Sequence, residues 1–191
     1  TNKTDLSVFD PHKSNATGEK EWIVNKEVRD TQHVEMGPLF PKIADLFKNM
    51  VREVINPFYG IEITESEVPQ ILSYSIGGHY TPHIDGESLW QAPDGEVIWK
   101  KSTDRDISMV LYLNDDFEGG DFIFPDHHIR VRPEPGMLVC FPSNHHYKHG
   151  VEPVTRGMRY SIVCWATVKG FQTMDEQNRE LSQKYGMLIN N

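Results

Sequence analysis

Cysteine is scarce in this chain: Cys140 and Cys164 are the only two among 191 residues. Both lie in apolar, strand-like runs, Leu138-Val139-Cys140-Phe141 and Ile162-Val163-Cys164-Trp165. Buried free thiols are therefore expected, and a disulfide framework is not. Long hydrophobic runs are missing too, and no apolar stretch approaches the roughly 20 residues of a membrane-spanning helix. Basic charge is in short supply, with 19 Lys and Arg against 28 Asp and Glu and a formal net charge of -9. That balance speaks against a nucleic-acid phosphate backbone as the main partner. No secretory leader is visible after Thr1, and with so little cysteine a reducing, cytoplasmic setting is expected. Internal repeats and low-complexity segments are absent as well.

What is present is ordinary globular material, 38% hydrophobic and 25% charged, at a length that suits one domain over residues 1–191. Residues 1–20 are polar, carry Pro11, Asn15 and Gly18, and read as a loose lead. One or two short strands fit in 21–34 around Trp22-Ile23-Val24. The clearest helix is 39–56, where Leu39, Ile43, Leu46, Phe47, Met50, Val54 and Ile55 form one apolar stripe. Pro38 and Pro41 suit its start and Asn56-Pro57 its end, and it is expected to brace a sheet. Strands are expected at 69–76, 82–85, 107–113, 121–124, 128–132, 137–141, 148–152 and 158–168. Turns such as Gly77-Gly78, Gly119-Gly120 and Pro133-Glu134-Pro135-Gly136 separate them. So many short strands predict a mainly β fold with bracing α-helices, a sandwich or jelly roll. Residues 86–106, with Trp90 and Trp99, read as a long connection, and a loop of that length is more often functional than idle. In the tail at 169–191, Thr173 and Glu176 make a capping box ahead of a polar helix that ends near Tyr185 at Gly186.

Against this background His83 and Asp85 stand out, in Tyr80-Thr81-Pro82-His83-Ile84-Asp85. On a strand, residues two apart point to one face, so both can reach one metal. With a third imidazole they would form the 2-His-1-carboxylate facial triad that holds Fe(II) and leaves other coordination positions open. His149 is the preferred third ligand because the hairpin after it, through Val154-Thr155-Arg156-Gly157, returns the chain toward the same region. His145 and His146 are rivals. A lone His-x-Asp is a weak motif in a chain with nine His.

Arg159 adds a second feature. In 158–168, Arg159, Ser161, Val163, Trp165 and Thr167 share one strand face, and both faces are largely apolar. A guanidinium buried there needs an anion, and a carboxylate matches its planar donor fork. Ser161 can add a donor to the same anion. Tyr112, on a face with Ser108 and Val110, is a plausible neighbour, and Tyr74, with Leu72 and Ile76, is also placed inward. The bland alternatives are an internal salt bridge for Arg159 and core packing for Tyr74 and Tyr112.

With these residues placed, 69–168 resembles a prolyl 4-hydroxylase-type dioxygenase dependent on 2-oxoglutarate and Fe(II). The likeness is carried by Tyr74 through Asp85, Leu111-Tyr112-Leu113-Asn114, Gly119-Gly120-Asp121-Phe122, Pro135-Gly136 and His149 through Trp165. It implies a double-stranded β-helix of the jelly-roll, cupin-like kind. It implies iron on His83, Asp85 and His149, with Arg159 clamping the distal carboxylate of 2-oxoglutarate, helped by Tyr112. Tyr74 would lie beside the cosubstrate and Trp165 would line the pocket. The implied reaction consumes O2 and 2-oxoglutarate, releases succinate and CO2, and hydroxylates an unactivated C–H bond, with ascorbate as an accessory reductant. An intact Asp85 favours hydroxylation over halogenation. Peptidyl proline is the leading substrate by resemblance alone. Another protein side chain or a free amino acid is an alternative, as are a nucleic-acid demethylase and a non-catalytic, metal-bearing binding module. The segment 86–106 is expected to act as a lid over the substrate, while Trp90 and Trp99 pack it down and Lys100, Lys101 and Arg105 are solvated. Oligomeric state is not legible.

Overall fold

The computed structural model describes residues 2–14 and 20–189; position 1 and 15–19 of the expected lead, and 190–191 of the tail, lie outside the described residues. Among the described residues the strands form one seven-stranded sheet, one five-stranded sheet and three two-stranded ribbons. The larger sheet runs in the order Lys3–Asp5, Gln32–Val34, Gln70–Tyr74, Arg159–Val168, Ile107–Tyr112 and Leu138–Pro142, with Ile63–Ser66 also pairing with Arg159–Val168. The smaller sheet runs Ile129–Val131, Phe122–Phe124, His149–Val151, His79–His83 and Arg29–Asp30. All of these pairings are antiparallel. This is the expected β architecture with bracing helices.

Period-two alternation divides each strand of the larger sheet between two apolar layers. Ile107, Met109, Leu111, Ile162, Cys164 and Ala166 pack on one side with Ile43, Phe47, Val51 and Ile55 of the bracing helix. Leu72, Tyr74, Val110, Tyr112 and Val163 pack on the other with Phe122, Phe124 and Val151 of the smaller sheet. Phe47 and Ile55, at 2% and 1% exposure, each stabilise the brace by roughly 1.5–3 kcal/mol. Among the described residues no helix is long and apolar enough to cross a membrane.

The described part of the lead contains two strands. Lys3–Asp5 pairs with Gln32–Val34 at the edge of the larger sheet, and Val8–Ser14 pairs with Lys20–Ile23. The bracing helix does not end at Asn56-Pro57. It runs as α-helix over Phe40–Met50, widens to π over Val51–Ile55 and continues through Asn56–Tyr59 before Gly60 stops it at φ 65. Pro57 lacks an N–H, and the wide segment directly before it is where the usual ladder is interrupted. The expected strand 82–85 is His79–His83, so Asp85 lies beyond its end. The expected inward strand at 69–76 ends at Tyr74, and Ile76 is 67% exposed.

The expected loop at 86–106 is a β-hairpin, Glu87–Gln91 against Val97–Lys101. Its mixed sequence hides the alternation because neither face belongs to the main core. Trp90 packs at 5.6 Å from Tyr185 of the C-terminal helix Met174–Tyr185, and Trp99 stacks on His145 at 4.9 Å. Three charges expected in solvent are engaged or covered. Lys101 pairs with buried Asp106 at 2.5 Å, Arg105 bonds Glu67 and lies 3.8 Å over the Trp165 ring, and Lys100 is buried.

Candidate metal centre

His83 closes its strand and His149 opens the neighbouring one, and the antiparallel register sets them opposite each other. Cross-strand partners share a face, and the ring centroids are 4.4 Å apart. The next aligned pair is Tyr80 with Val151, so Thr81 and Pro82 bulge against the single Gly150. The bulge brings Tyr80 onto the face of His83, three residues away, where the rings stack at 3.6 Å. A Cβ on Gly150 would meet Tyr80 O at 2.8 Å and Pro82 N at 3.1 Å, so glycine is required there.

Asp85 completes the group. Its Oδ1 lies 3.5 Å from His83 Nε2 and its Oδ2 lies 3.4 Å from His149 Nε2. One ligand atom from each residue falls within 4.8 Å of the others. The far side of each imidazole fixes its tautomer. His83 Nδ1 is 2.9 Å from Thr81 O, and His149 Nδ1 is 2.9 Å from Tyr147 O. A carbonyl only accepts, so each Nδ1 carries a proton and Nε2 is the ring nitrogen turned toward the carboxylate. Burial pushes the His149 imidazole down to about 4, which keeps it neutral near pH 7. Burial opposes charge on Asp85, but His149, His83 and Trp165 outweigh it and hold its carboxyl well below the usual range. Two imidazole nitrogens and a carboxylate thus converge on one point, a donor set that a cation would satisfy.

A hydroxyl chain steadies the carboxylate from behind: Ser108 Oγ donates to Asp85 Oδ2 at 2.7 Å and is itself 2.7 Å from Ser143 Oγ. Sequence reasoning placed Ser108 on the inward face but gave it no role, and it passed over Ser143. The signal for Ser108 was a hydroxyl on a buried face with no partner in its own strand. The rivals for the third position are engaged elsewhere. His145 binds Glu87 Oε2 through its backbone N at 2.8 Å and its Nδ1 at 2.6 Å, and His146 is exposed.

The second cluster lies on the inner face of Arg159–Val168. The register pairs Arg159 with Tyr74 and Ser161 with Tyr112, and the Arg159 guanidinium stands 4.8 Å and 5.0 Å from the two tyrosine rings. Arg159 is 1% exposed. Its Nε donates to Gly120 O at 3.0 Å and its Nη1 to Ser161 Oγ at 3.2 Å. Among the described residues no carboxylate pairs with it. Gly120 sits at φ +64, and a Cβ there would meet Arg159 Cδ at 3.1 Å, so the guanidinium stem needs glycine beside it. The Tyr112 hydroxyl is buried without a hydrogen-bond partner, and burial raises its pKa. Trp165, opposite Ser108 in the ladder, is half-buried on this same face.

A family model described as the 2OG-Fe(II) oxygenase superfamily matches residues 69–167, just over half of the chain. The chain belongs to that superfamily. It is 39% identical over 93 residues to prolyl 3-hydroxylase 2 of Rattus norvegicus, covering 44% of this chain and 13% of the relative. It is 45% identical over 83 residues to prolyl 3-hydroxylase 3 of Homo sapiens, covering 39% of this chain and 11% of the relative. The matches thus span no more than 13% of the length of these curated relatives. Among solved structures, its fold is similar to a viral collagen prolyl hydroxylase from Paramecium Bursaria Chlorella virus-1, solved as a 2OG complex. There the identity is 22% and the TM-score 0.60, over 73% of this chain and 79% of that one. A prolyl-4-hydroxylase of Pseudomonas putida is similar at 24% identity and TM-score 0.56, over 75% and 74% of the two chains.

Membership in the 2OG-Fe(II) oxygenase superfamily implies Fe(II) and 2-oxoglutarate, and the residues present fit both. The convergent two-imidazole, one-carboxylate donor set suits a cation of that type. The buried guanidinium without an acid, next to an orphaned phenol, suits a carboxylate.

Proposed function

We propose that this protein is an Fe(II)- and 2-oxoglutarate-dependent dioxygenase that hydroxylates a peptidyl proline. The observation that carries the reading is the convergence of His83 Nε2, His149 Nε2 and the Asp85 carboxylate, in a chain that also buries Arg159 with no acid partner among the described residues. His83, Asp85 and His149 would hold the iron. Arg159, with Tyr112 and Ser161, would receive the distal carboxylate of 2-oxoglutarate, Tyr74 would flank it, and Trp165 would line the pocket. When bound, the metal and cosubstrate supply O2 activation coupled to release of succinate and CO2, with one oxygen atom placed in the substrate C–H bond. Ascorbate would serve as an accessory reductant.

The chain's own contribution is positional. The Thr81 and Tyr147 carbonyls hold both imidazoles in the ligating tautomer. Ser108 keeps Asp85 turned toward them, and the aromatic layer of Phe122, Phe124 and Phe141 keeps water from the inner wall. The substrate would lie under the hairpin at Glu87–Lys101. The named relatives and fold neighbours include enzymes of carbon 3 and of carbon 4 of proline, so the position of hydroxylation is part of the test.

That test starts with an anaerobic titration of the apo-protein by Fe(II) and then 2-oxoglutarate, followed by the visible charge-transfer band. A band that is lost in His83→Ala is expected. Proline-containing peptides are then screened for a gain of one oxygen atom, with the modified carbon located by NMR. Bound iron without a band would sink the dioxygenase reading, and a band without oxidation of any proline peptide would sink the proline reading.

A further inference from the structure

Arg29 lies on the smaller sheet's edge strand, Arg29–Asp30, opposite Tyr80 in the antiparallel ladder. Opposed residues share a face, and the bulge at Thr81-Pro82 puts Tyr80 on the face of His83. A column results: the Arg29 guanidinium stands 4.5 Å from the Tyr80 ring centroid, and that ring stacks on His83 at 3.6 Å and an interplanar angle of 17°. Arg29 therefore occupies the metal-facing side of the sheet.

Among the described residues no carboxylate pairs with Arg29, and its Nε is buried without a hydrogen-bond partner. The adjacent acid, Asp30, is engaged by Lys26 at 3.4 Å. Asp85, beyond the column, is held by His83, His149 and Ser108. Leaving a guanidinium donor dry and unpaired costs about 1–3 kcal/mol, and the face of Tyr80 satisfies the cation but not its N–H groups. In a chain of net charge -9, a half-buried guanidinium with no carboxylate partner among the described residues has the chemistry to recognise an anion. Its planar fork matches a carboxylate.

We propose that Arg29 is a specificity residue that anchors a carboxylate of the substrate beside the metal centre. The inference rests on the peptidyl-proline reading and narrows it. The substrate carries either an acidic side chain next to the proline or a free C-terminal carboxylate within the same reach. Arg159 serves the cosubstrate's carboxylate and Arg29 the substrate's.

Three synthetic peptides decide between the sources: one with Glu beside the proline and an amidated end, one with Gln there and an amidated end, and one with Gln and a free C-terminal carboxylate. With the Fe(II)- and 2-oxoglutarate-loaded protein, at least one carboxylate-bearing peptide is expected to show a KM lower than the neutral peptide's by about tenfold or more. Which peptide it is identifies the source. Arg29→Met should erase that preference by raising KM for the acidic peptide, with kcat for the neutral peptide and the anaerobic charge-transfer band unchanged. Arg29→Lys should retain part of the preference, and Arg29→Glu should transfer it to a peptide with Lys beside the proline.

A wild-type protein that uses the neutral peptide as well as both acidic ones would overturn the proposal. So would an Arg29→Met protein whose band is disturbed and whose losses are equal for all three, because Arg29 would then only prop Tyr80 and His83. If no peptide is oxidised, anaerobic calorimetry with the same three peptides still decides. Acid-selective binding that Arg29→Met abolishes would keep the anchor and discard the proline reading, and equal or absent binding would discard both.

Discussion

Each functional residue has its state set by one or two neighbours. His149 opposes His83, and both rings are turned by backbone carbonyls two residues upstream. Ser108 bonds the third ligand, Asp85, from a strand of the larger sheet. Replacing Ser108 with Ala should leave the fold intact and weaken Fe(II) binding by about 10–100-fold, as loss of a group that orients a ligand does; calorimetric titration of the apo-protein measures it. Replacing Arg159 with Ala should leave Fe(II) affinity unchanged and raise the half-saturating 2-oxoglutarate concentration by about tenfold or more, since a charge-assisted hydrogen bond contributes about 1.5–3 kcal/mol. An unchanged 2-oxoglutarate requirement would remove Arg159 from the site. At this scale the sequence was informative where chemistry is rare. A His-x-Asp pair and an arginine in an apolar strand are conspicuous, whereas Ser108 and Ser143 are common residue types whose role exists only through what they touch.

The elements explain why the substrate side was harder to read. The segment at 86–106 is a hairpin held at both ends of its sheet, by Glu87 and Trp99 on His145 and by the C-terminal helix on Trp90, Lys101 and Glu96. Its strands do not line the main core, so its sequence carries no clean alternation. The C-terminal helix is a brace for that hairpin, and its start is secured by the reciprocal bonds of Thr173 and Glu176. Thr173→Ala should destabilise that helix by about 1 kcal/mol. Amide exchange should accelerate in the helix and in the strand Val97–Lys101, whose Lys101 N–H bonds Gln177 Oε1, while the larger sheet stays protected. Exchange confined to the first helical turn would show that the helix and the hairpin are uncoupled.

Across the whole molecule, two sheets face each other over an aromatic layer, and a helix covers the outer side of the larger one. The thiols report on that closure. Burial pushes Cys140 up to about 11 and Cys164 up to about 12, from ordinary values of 9.0. Both groups are acids whose folded pKa is raised. Their contribution to stability is complete below pH 9 and is lost as pH rises from there toward 11–12. Denaturant unfolding should therefore show stability falling through that alkaline window, less steeply in a Cys140→Ser, Cys164→Ser double variant. At pH 8.5 alkylation of both thiols should be slow in the native protein and fast in denaturant. Equal rates would mean that the layer around Cys164 opens readily.

The sequence by itself determined the β-rich class, the bracing helix, the capping box at Thr173 and the pairing of His83 with Asp85. Each of these is encoded within a few residues, by periodicity, by a cap or by nearness in the chain. Only the tertiary structure decided that His149 and not His145 stands opposite His83, because strand register relates residues far apart in the chain. It alone brought Ser108 to Asp85, laid Arg29 over Tyr80 and left the Tyr112 hydroxyl without a partner. A side chain's type is local, but whether its charge or hydrogen bond is answered depends on which distant strand arrives beside it.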